Sequence, residues 1–333
     1  MKKPLYPINQ CALYKVGSKA RLARILEVSV PALLAMAKSQ NYKVFELDEK
    51  ICPFTQKKTK ARFVQEPLYG LKGIHDRLRV LLMRVAPPEY AHAAVKGRSY
   101  RSNAVAHVAS ENVATFDIRK FYPSTSETSV FRFFSEALMI APDVAGLLAT
   151  LTCYQSNEIG SKSGLPTGSP VSPILSLYVN KSLFDSLDRL AREHGLIFTC
   201  YVDDVTFSGK RLPSGLVEMV KAVIERYGHK MAEDKTRIFS ANQPKHITGI
   251  VIKDKAISVP YSRFKKARCI EDAISKETDL KLRSKLIQQL SGLLGEAAFL
   301  DRRYAGWARA SYGNLAATKL KEANSVDTKL FTE

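Results

Sequence analysis

The strongest signal in the sequence is the stretch Tyr201-Val202-Asp203-Asp204. The residues on either side of it, 196–200 and 205–207, are apolar and rich in β-branched and aromatic side chains, which is typical of short buried strands. The pattern predicts a β-hairpin with both acids at its turn. Adjacent acids inside a strand would point to opposite faces, whereas at a turn both carboxylates can face one site.

A third acid is predicted to join this pair. Asp117 ends a second apolar strand pattern, Ala114-Thr115-Phe116-Asp117-Ile118. Two metal ions about 3.5–4 Å apart need a further carboxylate to bridge them, and they remove the repulsion between neighbouring acids. Because all the ligands would be oxygens, they favour Mg²⁺ or Mn²⁺ over zinc. The alternative is an ordinary hairpin, since Asp is a common turn residue.

The chain carries a large excess of positive charge. Its 333 residues include 51 Lys and Arg against 32 Asp and Glu, which gives a formal net charge of +19. The basic residues are spread over the whole chain, which favours a long polyanion as the partner. A solubilising surface is the alternative. The length indicates roughly two or three packed units, and 45% hydrophobic residues are ordinary for a globular protein.

The cysteines and the N-terminal sequence bear on the cellular location. Five cysteines are scattered without any Cys-x-x-Cys spacing, so neither a disulfide framework nor a zinc site is indicated, and a reducing compartment is favoured. No apolar signal core follows Met1, and no apolar run reaches the length that spans a membrane. We therefore expect a cytoplasmic protein with no membrane partner.

Two further segments have features of phosphate binding. A basic loop over 57–62 leads into a strand beginning at Arg62, whose guanidinium fork could hold a triphosphate; a solvated charged face is the alternative. The loop 163–173 contains three prolines and two glycines and leads into a long helix predicted over 173–192. Its amides and hydroxyls could face phosphate or template, and a proline-rich connector is the alternative.

Both ends of the chain are predicted to be helical. Residues 19–38 have apolar residues at helical spacing with a break near Ser29, which fits either a nucleic-acid-binding helix-turn-helix or a packing extension. Residues 261–299 are helical in pattern and rich in Lys and Arg. The stretch that follows interleaves cations with aromatics, which suits RNA or else forms the core of a helical cap. These residues are Arg302, Arg303, Tyr304, Trp307, Arg309 and Tyr312.

A set of motifs occurs in a fixed order along the chain. It comprises the acid-ended strand with Tyr122 five residues on, the loop Leu165-Pro166-Thr167-Gly168-Ser169-Pro170, the Tyr-x-Asp-Asp hairpin, and a segment from Gly228 to Lys235. This order resembles the palm and fingers of reverse transcriptases, and the resemblance covers roughly residues 42–260.

Within that family the chain is similar to bacterial retron reverse transcriptases. Asn103-Ala104-Val105-Ala106-His107 matches the retron N-A-x-x-H element, and Ile247-Thr248-Gly249 resembles the V-T-G element with Ile in place of Val. The short length also favours this class, for which no endonuclease or maturase extension is expected. Thr167 departs from the pattern, because many of these enzymes have Gln there, in the loop that touches nucleotide and template.

The resemblance implies an α+β right-hand polymerase fold. Its parts are fingers, a palm built on an antiparallel sheet with flanking helices, and a helical thumb. The implied domains are an N-terminal helical extension (1–41), the first part of the fingers (42–112), the palm with inserted finger elements (113–260) and an RNA-binding thumb (261–333).

The resemblance also implies nucleotidyl transfer, with a role for each site residue. Asp117 and Asp203 would hold two Mg²⁺ ions, Asp204 would complete the cage, and the carbonyl of Ile118 would contribute. Tyr122 would clash with the 2′-hydroxyl of ribonucleotides. The implied nucleotide-binding residues are Lys60, Arg62, Tyr122, Pro166, Thr167, Gly168 and Lys235. The implied RNA-binding residues are Asn103, His107, Arg302, Arg303, Tyr304, Trp307, Arg309 and Tyr312.

For a retron, the implied substrates are dNTPs and the cell's own structured non-coding RNA. Synthesis would start from a guanosine 2′-hydroxyl and give a short DNA branched from RNA (msDNA), in anti-phage defence with a neighbouring effector or toxin protein. Two other functions stay open: another stand-alone reverse transcriptase, of the group II intron or diversity-generating type, and a non-catalytic scaffold for RNA and an effector. The three intact acids weigh against a scaffold, because clustered unpaired charge is costly.

Overall fold

The structure, a computed structural model that describes residues 5–38, 41–155 and 163–314, mixes helices with antiparallel sheets. In chain order the strands are β1 (Tyr42–Leu47), β2 (Lys50–Ile51), β3 (Lys58–Thr59), β4 (Arg62–Pro67), β5 (Asn112–Asp117), β6 (Ile197–Tyr201), β7 (Asp204–Gly209), β8 (Arg237–Phe239), β9 (Lys245–Ile247), β10 (Ile250–Lys253) and β11 (Ala256–Ser258). The α-helices are α1 (Lys19–Leu26), α2 (Val30–Lys38), α3 (Tyr69–Leu82), α4 (Tyr100–Val105), α5 (Phe121–Ser124), α6 (Glu127–Arg132), α7 (Pro142–Thr152), α8 (Ser172–Val179), α9 (Lys181–Glu193), α10 (Leu216–Arg226), α11 (Tyr261–Lys276) and α12 (Leu280–Leu300).

The chain packs as two units. The larger comprises Met1–Asp48 and Ala61–Gln243, and the smaller comprises Glu49–Lys60 and Pro244–Glu333. The smaller unit therefore begins ahead of the thumb boundary expected at residue 261, and it takes in a part of the segment expected in the fingers. The division into four domains stays a prediction.

The main sheet of the larger unit has the strand order β6-β7-β5-β8, and each neighbouring pair is antiparallel. Its centre is aromatic. Phe198 lies directly opposite Phe207 with ring centroids 5.1 Å apart, and Phe116 meets Phe207 edge-on at 5.8 Å. Cross-strand aromatic pairs of this kind stabilise a sheet. All three rings are buried, so the strands that carry the acids are fixed by a well-packed core.

Two helices predicted as continuous are interrupted. The helix expected over 173–192 is two helices, α8 and α9, which meet at Asn180 (φ −97°, ψ 19°). The Asn180 side chain donates to the carbonyl of Ser176 at 2.9 Å, and such bonds compete with the helical ladder. The apolar spacing of residues 127–140 likewise predicts one helix. In the structure α6 is followed by a π-helical turn, Phe133–Ala137, an irregularity that periodicity does not reveal.

Residues 246–252 have the apolar, β-branched composition of a single strand, but a turn divides them in the structure. Thr248 (φ 43°) and Gly249 (φ 78°) both adopt left-handed backbone conformations, which end β9 and start β10. The left-handed region costs glycine nothing, so Gly249 suits this turn. The strands β9, β10 and β11 then form a three-stranded antiparallel sheet.

The smaller unit has a hydrophobic core of its own. Its helices α11 and α12 pack through buried Ala267, Ile270, Leu290 and Leu294. Phe54, from the segment between β2 and β3, packs against the same core. This arrangement explains why residues 49–60 belong with the C-terminal part of the chain.

The two N-terminal helices pack into the core of the larger unit. Leu22 and Leu33 are fully buried there. Ser18 caps α1 by accepting from the Arg21 N–H at 3.2 Å, and Glu27 ends the helix in a left-handed conformation (φ 60°). This burial favours the packing extension over a helix-turn-helix that faces nucleic acid.

All five cysteines are free thiols. Among the residues that the structure describes, no helix combines the length and the apolar character needed to cross a membrane.

Candidate active site

The three predicted acids lie at one end of the main sheet. In the register of β5 against β7, Asp117 lies directly opposite Asp204, so the two side chains leave the same face of the sheet. The Ile118 N–H donates to the carbonyl of Asp203 at 3.0 Å, which ties the hairpin turn to the end of β5. The turn is Val202-Asp203, and Asp204 is the first residue of β7.

The hairpin turn is strained at Val202. This residue has φ 60°, a left-handed conformation that is an outlier for a β-branched side chain. Such a conformation costs about 1–3 kcal/mol and persists only where the surrounding structure imposes it, most often at functional sites. The strain is therefore consistent with a turn shaped for its two acids.

The acids concentrate negative charge that is partly shielded from water. Burial raises the pKa of Asp203, and the charge of Asp117 adds to the shift. Burial also raises the pKa of Asp204 to about 7, with the charges of Asp203 and Asp117 as further causes. Ionising all three acids therefore costs free energy unless cations offset their negative charge.

One cation already lies beside the acids. The Lys235 ammonium donates to Asp117 Oδ2 at 2.7 Å, and this hydrogen bond raises the pKa of Lys235, so the side chain stays charged. The backbone around Lys235 runs along the end of β5: the Ala232 N–H donates to the Asp117 carbonyl at 2.8 Å, and the Arg119 N–H donates to the Lys230 carbonyl at 2.8 Å. The structure thus brings Lys235 to the predicted acids.

The donor set suits hard divalent cations. Carboxylate oxygens are the ligands that Mg²⁺ and Mn²⁺ prefer. Burial, and then the charges of neighbouring acids, raise the pKa values of Asp203 and Asp204, so a divalent cation would favour their ionised forms. In the described ranges, no three His, Cys, Asp or Glu side chains stand together as a ready set of metal ligands. Asp117 is bonded to Lys235 instead. We therefore expect a bound metal to displace this ammonium from the carboxylate.

We predict that divalent cations stabilise the protein increasingly as the pH rises through about 7. The folded-state pKa of Asp204 is about 7, against an ordinary value of 3.8. Without metal, the stabilisation from protonated Asp204 is fully present below about pH 4. It is lost as the pH rises through about 7, so the free energy of unfolding falls. A divalent cation binds the ionised form and therefore restores more stability at higher pH. The measurement is the shift in unfolding temperature when Mg²⁺ is added to EDTA-treated protein across this pH range. Asp204→Asn should flatten the dependence, and a shift independent of pH in the wild type would contradict the assignment.

Tyr122 lies close enough to the acids to be affected by their charge. Burial raises the pKa of its phenol, and the negative charge of Asp203 adds to the shift. Tyr122 is half-buried and belongs to the single helical turn α5. Its carbonyl accepts from the Leu165 N–H at 3.2 Å. The proline-rich loop is thereby attached to the segment that carries Tyr122.

The same loop contacts strand β4. The Thr167 N–H donates to Gln65 Oε1 at 3.1 Å, and the Thr167 hydroxyl lies 3.0 Å from that oxygen and 3.0 Å from the Phe63 carbonyl. The Gly168 N–H donates to the Gln65 carbonyl at 3.2 Å. Arg62 is exposed at the start of this strand. The structure therefore joins the two segments that were predicted to bind the nucleotide.

Two buried contacts fix the shape of the loop. His75 Nε2 donates to the Leu151 carbonyl at 2.8 Å, so Nδ1 accepts from the Ser169 hydroxyl at 2.6 Å. The Ser172 hydroxyl donates to the Pro166 carbonyl at 2.7 Å. Neither His75 nor Gln65 could be predicted from the sequence, because each lies about a hundred residues from its partner in the loop and no local pattern marks such a contact.

Gly164 is predicted to reject any side chain. A Cβ there would lie 2.3 Å from the carbonyl oxygen of Pro123 and 3.1 Å from that of Thr125. Gly164→Ala must move backbone next to Tyr122, so we expect it to lower the free energy of unfolding by roughly 1–3 kcal/mol. The matched control is Gly146→Ala in α7, where a Cβ meets nothing within 4 Å and Ala is favoured by up to about 1 kcal/mol. Urea unfolding compares the two variants, and equal effects would contradict the prediction.

Asn103 and His107, which were predicted to bind RNA, lie in the interior of the protein. Both side chains are fully buried, so neither is placed for direct contact with RNA. His107 Nδ1 lies 2.6 Å from Ser208 Oγ, and Nε2 lies 2.7 Å from Thr199 Oγ1. The ring therefore bridges β7 and β6, the two strands of the acid-bearing hairpin. Burial lowers the pKa of His107 to about 3, which keeps the ring neutral.

The aromatic and basic residues after α12 divide into packed and exposed groups. Trp307 is half-buried and donates through Nε1 to Glu271 at 3.0 Å, and Tyr304 stacks on it with ring centroids 6.4 Å apart. Both aromatics pack against the core of the smaller unit, which favours the helical-cap interpretation for these two. The exposed residues, whose contact with RNA stays a prediction, are Arg302, Arg303, Arg309 and Tyr312.

Comparison with known families agrees with this geometry. Residues 55–252, more than half of the chain, match the family described as "Reverse transcriptase (RNA-dependent DNA polymerase)". The matched range contains all three acids, Tyr122 and Lys235.

The chain is also similar to curated retron proteins. It is 28% identical to the Retron Se72 reverse transcriptase of Salmonella heidelberg over 65% of this chain and 56% of the relative. It is 30% identical to the Retron Mx65 reverse transcriptase of Myxococcus xanthus over 58% and 48%. It is 24% identical to the Retron Ec86 reverse transcriptase of Escherichia coli over 73% of each chain. The chain thus spans about half the length of the first two relatives, and these similarities confirm the resemblance carried by the motifs.

Proposed function

The chain belongs to the reverse transcriptase family, and we propose that it is an RNA-directed DNA polymerase of a retron. The observation that carries this proposal is the grouping of Asp117, Asp203 and Asp204 at one end of the main sheet. The negative charge of these carboxylates favours the binding of divalent cations, and nucleotidyl transfer requires such cations. The retron class is supported by the names of the three relatives.

We assign each residue of the site a separate role in nucleotidyl transfer. Two Mg²⁺ or Mn²⁺ ions, held by the three carboxylates and the Ile118 carbonyl, would supply an activated primer hydroxyl and offset the charge of the leaving pyrophosphate. Lys235, freed from Asp117, would donate a proton to that pyrophosphate or stabilise its charge. Arg62 would clamp the triphosphate by its fork geometry, and Lys60 is the weaker candidate for this role.

The loop and Tyr122 would select and place the nucleotide. Pro166, Thr167 and Gly168 form the part of the loop that faces nucleotide and template. The Thr167 hydroxyl and N–H are engaged by strand β4, so the loop is held in one shape before substrate binds. Tyr122, next to Asp203, would exclude a 2′-hydroxyl by contact with the sugar.

The proposed domains follow the right-hand polymerase plan. The main sheet forms the palm, the hairpin of β1 and β4 forms part of the fingers, and the helices α11 and α12 form the thumb. The proposed boundaries are 1–41 for the extension, 42–112 for the first part of the fingers, 113–260 for the palm and 261–333 for the thumb.

The proposed template is a structured non-coding RNA of the cell. The net charge of +19 supports a polyanionic partner. We propose that synthesis begins at a guanosine 2′-hydroxyl and yields msDNA, that the protein works in the cytoplasm, and that it acts in anti-phage defence with a neighbouring effector.

Primer extension tests the polymerase proposal directly. The purified full chain is given oligo(dT) annealed to poly(rA), dTTP and Mg²⁺, with Mn²⁺ in a parallel reaction. We expect extension that depends on the divalent cation and stops in EDTA. Asp234→Asn, at an exposed acid paired with Arg119 at 3.1 Å, is the matched control and should retain activity. Folded protein that extends nothing with either cation would contradict the proposal.

A further inference from the structure

A buried polar network lies behind Tyr122, and its central residue is His229. The ring of His229 is only 4% exposed. The residue follows the left-handed Gly228 (φ 80°) at the end of α10, and its N–H donates to the Ile224 carbonyl at 3.2 Å. The sequence singles out the segment from Gly228 to Lys235 as a motif, but it predicts no role for His229 itself.

The hydrogen bonds of the network fix the state of the His229 ring. Asn180 Nδ2 donates to the Ser176 carbonyl at 2.9 Å and to Thr125 Oγ1 at 2.9 Å, so Asn180 Oδ1 must face His229 as an acceptor. His229 Nε2 therefore donates to it at 2.8 Å, and Nδ1 accepts from the Ser124 hydroxyl at 2.8 Å. One neutral tautomer satisfies every one of these contacts.

The network holds the helical turn that carries Tyr122 from both ends. The Phe121 ring packs against His229 with ring centroids 5.5 Å apart. Ser124 and Thr125, at the other end of the turn, are bonded to His229 and Asn180 respectively. Tyr122 lies between these contacts. A displacement of His229 or Asn180 would therefore move Tyr122 relative to Asp203.

Hydrogen bonds require fixed distances and angles, so a hydrogen-bonded network permits only one arrangement of its side chains. Apolar packing alone tolerates several arrangements. A fully satisfied buried network rigidifies a core, whereas a partly satisfied one is costly. The turn α5 has only four residues, so it has little helical stability of its own. Its position is consequently set by the network rather than by the helix.

We propose that His229 and Asn180 are positioning residues for sugar discrimination, acting by fixing the location of Tyr122. The inference rests on the proposed function and deepens it, because it assigns the selection of deoxynucleotides to residues that do not touch the nucleotide. A gate that works by steric contact is sensitive to small displacements, and a misplacement of about 1 Å can cost a hundredfold in a reaction.

The test compares dTTP with UTP as the incoming nucleotide on the oligo(dT)–poly(rA) substrate. The readout is the ratio of kcat/KM for the two nucleotides, measured for the full chain. We expect His229→Ala and Asn180→Ala to lower the ratio by about tenfold or more, mainly by improving UTP incorporation relative to dTTP. His229→Gln, whose amide can keep one of the two contacts, should give an intermediate ratio.

Val220→Ala is the matched control for a general loss of stability. Val220 is fully buried in α10 and outside the network, so its truncation should lower the unfolding temperature without changing the ratio. If His229→Ala does not fold, Asn180→Ala and His229→Gln carry the same test. An unchanged ratio in folded variants overturns the inference while leaving the polymerase intact. A wild type that incorporates neither nucleotide overturns the proposed function itself, and the inference with it.

Discussion

Asp203→Asn is expected to reduce DNA synthesis by roughly a thousandfold or more, because it removes a carboxylate needed to hold the catalytic cations. The substitution keeps the size of the side chain and removes its charge. Primer extension under Mg²⁺ measures the loss, and Asp234→Asn, an exposed acid outside the cluster, should remain within about twofold of the wild type. Binding of RNA should persist, since it depends on the basic surface. Synthesis retained by Asp203→Asn would refute the assignment of the site.

The same substitution should stabilise the metal-free protein. Burial and the charge of Asp117 raise the pKa of Asp203, so its ionised form opposes folding at neutral pH when no cation is bound. The unfolding temperature of Asp203→Asn in EDTA should therefore exceed that of the wild type, and added Mg²⁺ should narrow the difference. A variant that is less stable than the wild type in EDTA would show that this charge is already balanced.

Tyr122→Ala is expected to admit ribonucleotides. Removing the ring opens the space that we assign to the exclusion of a 2′-hydroxyl, so the preference for dTTP over UTP should fall by roughly 10–100-fold. The measurement is the ratio of kcat/KM for the two nucleotides. Tyr122→Phe is the matched control, because it keeps the ring and removes only the hydroxyl.

The controls separate a steric gate from other roles of Tyr122. If the gate is steric, Tyr122→Phe retains discrimination while Tyr122→Ala loses it. If both variants lose it, the phenol hydroxyl rather than the ring carries the selectivity. If both retain it, Tyr122 is not the gate.

The sequence predicted the hairpin well because its signal is local. Apolar runs on both sides of Asp203 mark two strands, and acids between them mark the turn. The opposition of Asp117 and Asp204 was harder to predict, because it depends on the pairing of β5 with β7, strands far apart in the chain. The order of the motifs along the chain indicated that these two acids belong to one site, which periodicity alone could not show.

Other features depend on tertiary contacts that leave no local pattern. The break at Asn180 looks like ordinary helix in the sequence, whereas in the structure the Asn180 side chain is bonded to Ser176, Thr125 and His229. His107 was expected to face RNA, but Ser208 and Thr199 hold it inside the protein. In each case a polar residue was interpreted by its type, whereas its buried partners decide its role.

The most direct test of the central claim is to analyse the nucleic acid that co-purifies with the protein when the gene is expressed with its native flanking DNA. Wild type and Asp203→Asn are compared on a denaturing gel, before and after RNase and debranching treatment. We predict a short DNA in the wild type whose mobility shifts on debranching, and no such DNA with Asp203→Asn. Unbranched or heterogeneous DNA would point to another class of reverse transcriptase. If folded protein supplied with Mg²⁺ co-purifies with RNA but with no DNA, the result would contradict the claim and favour a scaffold.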